Sequence, residues 1–164
     1  MDILLYILYI SYLLHLSQEL LFCHTEHGFL MNWSGITLKT CLYILIVSLN
    51  PGERLKSTLE SVFAQDYKDY KVIIKDGGSK DNSIEELKAS GLLEGHDNVR
   101  IVSKPDKSIY DGMNQAVELM NEETRSDKGT YCMFLNCGDE FHDNSVLSQV
   151  VPFLKENDKP HIYY

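Results

Sequence analysis

The sequence predicts an α/β fold with a largely parallel sheet and helices on both faces. Two observations carry this: apolar, β-branched runs alternate four times with amphipathic stretches, and each run stops abruptly at polar or Gly/Pro punctuation. Strands buried on both faces read as continuous apolar runs, and strand–helix alternation gives right-handed parallel crossovers.

Leu42–Leu49 (LYILIVSL) reads as the first strand, ended by the turn signal Asn50-Pro51-Gly52. From Glu53 to Ala64, Leu55, Leu59, Val62 and Phe63 recur at helical spacing. Val72–Lys75 is the next strand, passing into Asp76-Gly77-Gly78. Ser83–Leu92 is a weaker helix, with Asn82 or Asp81 as its N-cap. Val99–Ser103 is a short strand before Lys104-Pro105. Tyr110–Met120 is helical, with Met113, Val117 and Met120 on one side, and Asn121–Gly129 reads as a solvated loop. Tyr131–Leu135 is the fourth strand, and a helix over Asn144–Leu154, capped by Asp143 or Asn144, closes the series.

Residues 1–41 differ from this pattern. Ile3–Leu16 is apolar except for Ser11 and His15, yet it is short and interrupted for a span of about 20 apolar residues. Asp2 and the absence of Lys or Arg before Lys39 argue against a secretory signal. Three readings stay open: a membrane-associated helix, an apolar helix packed on a partner, or an extension outside the functional domain. The domain is therefore expected over 42–164, with 1–41 as an apolar N-terminal extension.

Composition narrows the function. The 164 residues are 44% hydrophobic and 24% charged, ordinary for a globular chain. Against 24 Asp and Glu stand 15 Lys and Arg, a formal charge of −9, which offers no field for a nucleic-acid backbone. An anionic ligand would need a cation or a cluster of backbone N–H groups, which favours a divalent metal. Cys23, Cys41, Cys132 and Cys137 form no C-x-x-C pair and read as free thiols. Glu122-Glu123 and Glu85-Glu86 read as solvated faces, His142 as a solvated histidine, and Tyr67, Tyr70 and Tyr110 as packing residues.

In a parallel sheet the strand ends converge on one edge, where ligands of open α/β sheets bind. Asp76 and Asp139 can then face one crevice, and two carboxylates there suit Mg²⁺ or Mn²⁺ with substrate phosphates completing the shell. No GxGxxG and no GxxxxGK[ST] occurs.

The series ILIVSLNPGERLKSTLESVFAQDYKDYKVIIKDGGSKDNS, SKPDKSIYDGMNQAV and YCMFLNCGDEF resembles family 2 glycosyltransferases, most closely their bacterial polysaccharide-assembly branch. The resemblance covers roughly Leu42 to Tyr164. It implies the GT-A fold, a three-layer α/β/α arrangement with a mostly parallel sheet, here truncated to the N-terminal donor-binding half. It further implies sugar transfer from a nucleoside diphosphate sugar to a polysaccharide or lipid-linked acceptor. The reaction would be inverting and metal-dependent (Mn²⁺ or Mg²⁺), in the cytoplasm at the inner face of the cell membrane. By position, Val47, Leu49, Asp76, Asp111 and Asn114 match donor-binding residues, and Asp139 matches the metal ligand. No residue matches the catalytic base, which in the family follows the segment that HIYY begins.

Departures from the family pattern are visible. Asn136 and Gly138 stand where an acidic residue is commoner, so metal binding is expected to rest on Asp139 alone. Ser108 stands where the branch has Gly. Two other readings remain: a nucleotide-binding module without turnover, and a nucleotidyltransferase, which would want a basic Gly-rich loop where Asn50–Arg54 supplies one Arg. An incomplete sheet would expose an open edge and favour self-association.

Overall fold

The computed structural model describes residues 41–124 and 130–156; the expectations for 1–40, including the apolar stretch Ile3–Leu16, lie outside them. Four strands, β1 (Cys41–Ser48), β2 (Tyr70–Asp76), β3 (Val99–Ser103) and β4 (Thr130–Phe134), form one sheet in the order β3-β2-β1-β4. Every pairing is parallel. Between and after them come α1 (Arg54–Phe63), α2 (Ser83–Ala89), α3 (Ile109–Glu123) and α4 (Val146–Glu156).

Strand alternation sorts the side chains into two cores. Leu42, Ile44 and Ile46 of β1 join Val72 and Ile74 of β2 beneath Leu55, Leu59 and Val62 of α1, Ile84 and Leu87 of α2, and Leu147 and Val151 of α4. On the other face Tyr43, Leu45, Val47 and Ile73 meet Ala116 and Met120 of α3. This is the expected three-layer α/β/α arrangement. Gln65, fully buried, ties the first layer together: its Nε2 donates to the Asp143 carbonyl (2.7 Å) and its Oε1 accepts from the Leu147 amide (3.0 Å).

Element boundaries moved for identifiable reasons. Helix α3 runs to Glu123, into the expected loop. Glu123 is exposed there, as expected, yet it accepts from the Tyr43 hydroxyl (3.0 Å) and pairs with Arg100 (3.0 Å) and Lys71 (3.5 Å). Tyr110 is 64% exposed rather than packed, because the α3 core stripe passes through Gly112, Ala116 and Met120. Asn82 occupies the N-cap of α2 in the left-handed region (φ 59°) but its side chain caps nothing. Asp81 does that work, accepting from the amide (3.2 Å) and hydroxyl (2.6 Å) of Ser83.

Registers align Ser48, Asp76 and Ser103 at one edge. The carboxyl ends of β1, β2 and β3 are therefore level, and the loops that follow them form one rim.

Candidate active site

A crevice of about 270 Å³ opens over the end of β1, lined by Val47, Ser48, Leu49, Pro51, Arg54, Asp106, Ile109, Asn136 and Cys137. One wall is apolar, with Leu49 57% and Ile109 54% exposed. The other wall is polar and comes from the start of α1 and the turn after β4.

Of the residues anticipated from sequence, Val47 and Leu49 line the crevice, whereas Asp76, Asp111, Asn114 and Asp139 are not among its lining side chains. Asp76 is 1% exposed. Its carboxylate accepts from the amides of Gly78 (3.1 Å) and Ser79 (3.1 and 3.2 Å) and from the Ser79 hydroxyl. It holds its own loop closed rather than projecting from it.

Asp111 caps the helix reciprocally. The Ser108 hydroxyl accepts from the Asp111 amide (3.2 Å), and the Asp111 carboxylate accepts from the Lys107 amide (2.8 Å). A serine in place of glycine thus starts α3 by a side-chain cap. Asn114 lies half-buried in the first turns of the same helix. Asp139 is exposed on the turn after β4, where its amide donates to the Asn136 carbonyl (2.9 Å).

Two residues that sequence reasoning passed over shape the site. Lys75, on the α3 face of β2 with a fully buried side chain, ion-pairs with Asp106 at 2.9 Å. Its ammonium also donates to the carbonyls of Lys104 (2.7 Å) and Asp76 (3.1 Å), using all three donors. Asp106 is so placed that a Cβ on Gly77 would stand 2.7 Å from its Oδ2, and one on Gly112 3.1 Å away. Adjacent glycines and a lysine inside an otherwise apolar strand were the available signals.

The rim itself is cross-tied. Asn50, at φ 46°, donates its amide to Ser79 Oγ (2.7 Å) and accepts from the Lys80 amide (2.8 Å) through Oδ1. The Gly52 amide donates to Asp81 (2.9 Å). Bonds from Ser83 first, and from Gly52, hold the Asp81 carboxyl below its ordinary pKa. At Cys137 burial pushes the thiol pKa up, more than the Arg54 charge beside it can offset, so the thiol stays protonated at neutral pH. His142 is 80% exposed and pairs with Asp143 at 2.6 Å. Among the described residues no group of three or more His, Cys, Asp or Glu side chains could hold a metal by itself. Nor is any described helix long and apolar enough to cross a membrane.

The family model described as glycosyl transferase family 2 matches residues 43–163. The chain belongs to that family. Curated relatives agree: a PGL/p-HBAD biosynthesis glycosyltransferase of Mycobacterium bovis is 28% identical over 123 residues, 74% of this chain and 44% of the relative. An uncharacterized glycosyltransferase of Rickettsia bellii is 30% identical over 121 residues, 74% of this chain and 16% of its own. This family 2 chain thus spans less than half the length of the curated relatives it matches. Among solved structures, S. aureus TarS 1-349 in complex with UDP superposes with a TM-score of 0.58 at 14% identity, covering 71% of this chain and 32% of that one. The mannosyltransferase PcManGT from Pyrobaculum calidifontis, in complex with GDP-Man and Mn²⁺, gives 0.57 at 14% identity, over 69% and 32%. These likenesses establish the GT-A fold.

Proposed function

We propose that the protein transfers a glycosyl group from a nucleoside diphosphate sugar to a glycan or lipid-linked acceptor, with inversion and with Mn²⁺ or Mg²⁺. The observation that carries this is the crevice at the strands' carboxyl edge, with an apolar wall on one side and a polar wall beside the Asp139 turn on the other, in a chain of this family. Neighbouring folds carry UDP, UDP-GlcNAc or GDP-Man with Mn²⁺, which supports the same ligand class here.

In this reading Val47, Leu49 and Ile109 flank the base. Asp76 serves the site from beneath by fixing the loop 77–79, and Asp111 with Asn114 sets the start of α3 beside the donor. Asp139 would hold the metal. Asp139 is exposed, and since the described residues hold no three-ligand cluster, donor phosphates would have to complete the ion's shell. Bound there, the metal supplies Lewis-acid neutralisation of charge on the leaving diphosphate. The chain's own contribution is a preformed, cross-tied rim, so little reorganisation is needed on binding. The acceptor hydroxyl needs a base opposite the leaving group.

A second reading, donor binding without turnover, is favoured by one observation. Asp106, the carboxylate lining the crevice, is already paired with Lys75.

Calorimetric titration with UDP and GDP, with and without Mn²⁺, tests the site. Binding that requires metal and is lost in Asp139→Ala is expected; absence of binding to either nucleotide sinks the donor reading. Release of nucleoside diphosphate from UDP- or GDP-sugars separates turnover from binding alone.

A further inference from the structure

Among the described residues, the polar wall of the crevice contains one basic side chain, Arg54, at the first position of α1. We infer that Arg54 grips the diphosphate of the bound donor, a role that rests on the donor reading above.

Four observations converge on it. Arg54 makes no ion pair among the described residues; its Nε donates to the Pro51 carbonyl at 3.2 Å, which orients the guanidinium and leaves its two NH₂ groups uncommitted. Lys75, the other cation of the site, is spent on Asp106. The stem of Arg54 lies over the turn that carries Asp139: a Cβ on Gly138 would come 3.4 Å from Arg54 Cδ, and Gly138 sits at φ +102°, where side chains are disfavoured. That turn is pinned to the same helix, because the Gly138 amide donates to Thr58 Oγ1 at 2.8 Å. Arg54 and the turn that carries Asp139 are thus held by the same helix.

Independently, the end of β1 beneath the crevice holds an unsatisfied group. Ser48 is 5% exposed, lines the crevice, and its hydroxyl makes no hydrogen bond. A buried hydroxyl without a partner is costly and is tolerated where function uses it. A wall with an uncommitted fork of donors suits phosphate oxygens. Arginine binds such oxygens in pairs where a lysine acts as a point charge. In a chain of formal charge −9 this local cation also offsets the repulsion an anionic donor meets.

The test compares UDP with UMP, and GDP with GDP's monophosphate, by calorimetry at fixed Mn²⁺ on the full chain and on Arg54→Gln and Arg54→Lys. In Arg54→Gln the diphosphate should lose about tenfold or more in affinity while the monophosphate changes by about threefold at most, and Arg54→Lys should recover part of the loss. Unchanged diphosphate affinity, or equal losses for both nucleotides, overturns the assignment while leaving the donor site standing. A wild-type chain that binds neither diphosphate overturns the donor site as well. Arg54 is exposed, so thermal melting of the variants should match the parent; a variant that fails to melt cooperatively assigns Arg54 to the fold and overturns the grip.

Discussion

Lys75 and Asp106 meet at 2.9 Å across the ends of β2 and the β3–α3 loop, with side chains 0% and 9% exposed. The pair explains why a lysine interrupts a run of Val and Ile. Its ammonium binds three acceptors drawn from Asp76, Lys104 and Asp106, so it stitches the rim from below.

Breaking that pair from one side should be severe. Lys75→Met leaves Asp106 enclosed without its counter-ion and should cost about 3–5 kcal/mol in urea unfolding. Replacing both residues with apolar ones should recover most of the loss. A Lys75→Met variant within 1 kcal/mol of the parent, on the order of experimental scatter, would show that water reaches the carboxylate.

Gly112→Ala should destabilise although alanine is the better helix former by about 1 kcal/mol. The new Cβ would fall 2.7 Å from Val47 Cγ1 and 3.1 Å from Asp106 Oδ2, so the crevice wall must shift. A net loss of about 1–3 kcal/mol is expected, read from the denaturant midpoint. A gain in stability would mean that the α3–β1 packing yields freely.

Ser48→Ala is expected to act in the opposite direction. Removing an unpaired buried hydroxyl should stabilise the free protein by about 1 kcal/mol, and nucleotide affinity should not rise. A lower melting temperature would show that the hydroxyl is bonded in solution.

The far end of the sheet should set the pH response. Burial alone would raise the Glu123 carboxyl, but hydrogen bonds from Arg100 and Tyr43 and the Lys71 charge outweigh it and hold its pKa low. A lowered folded-state pKa contributes stability that is present above the ordinary carboxylate pKa and is lost as pH falls through the lowered value. Stability should therefore decline below about pH 5, and Glu123→Gln should flatten that slope. Burial first, with Glu123 adding to it, raises the Tyr43 hydroxyl against the opposing Lys71 contact. Its contribution is intact below about pH 10 and is lost above it, and Tyr43→Phe should reduce that alkaline slope, with buried Tyr70 and half-buried Tyr67 supplying the rest. Urea midpoints across pH check both arms.

Much of this was readable from residues in order. The apolar runs at Leu42, Val72, Val99 and Tyr131 are strands, and their punctuation marks the edge where the crevice opens, because strand period and turn chemistry are local properties. Ser108 was visible as a departure from glycine, but its compensation was not, since a cap is defined by where Asp111's amide points. Asp76 was read as facing a ligand. In the structure Gly78 and Ser79 fold back onto its carboxylate, a loop closure that composition does not show.

The sequence alone determined the alternation of elements, the parallel sheet and the family, since these follow from periodicity and from motifs at strand ends. Only the tertiary structure decided which polar groups are free. Asp76, Asp81, Asp111 and Lys75 are each consumed by a partner, the most distant being Lys75's Asp106, whereas Arg54 keeps two donor groups open. Charge and spacing are written along the chain; whether a buried polar group is satisfied depends on neighbours that only folding supplies.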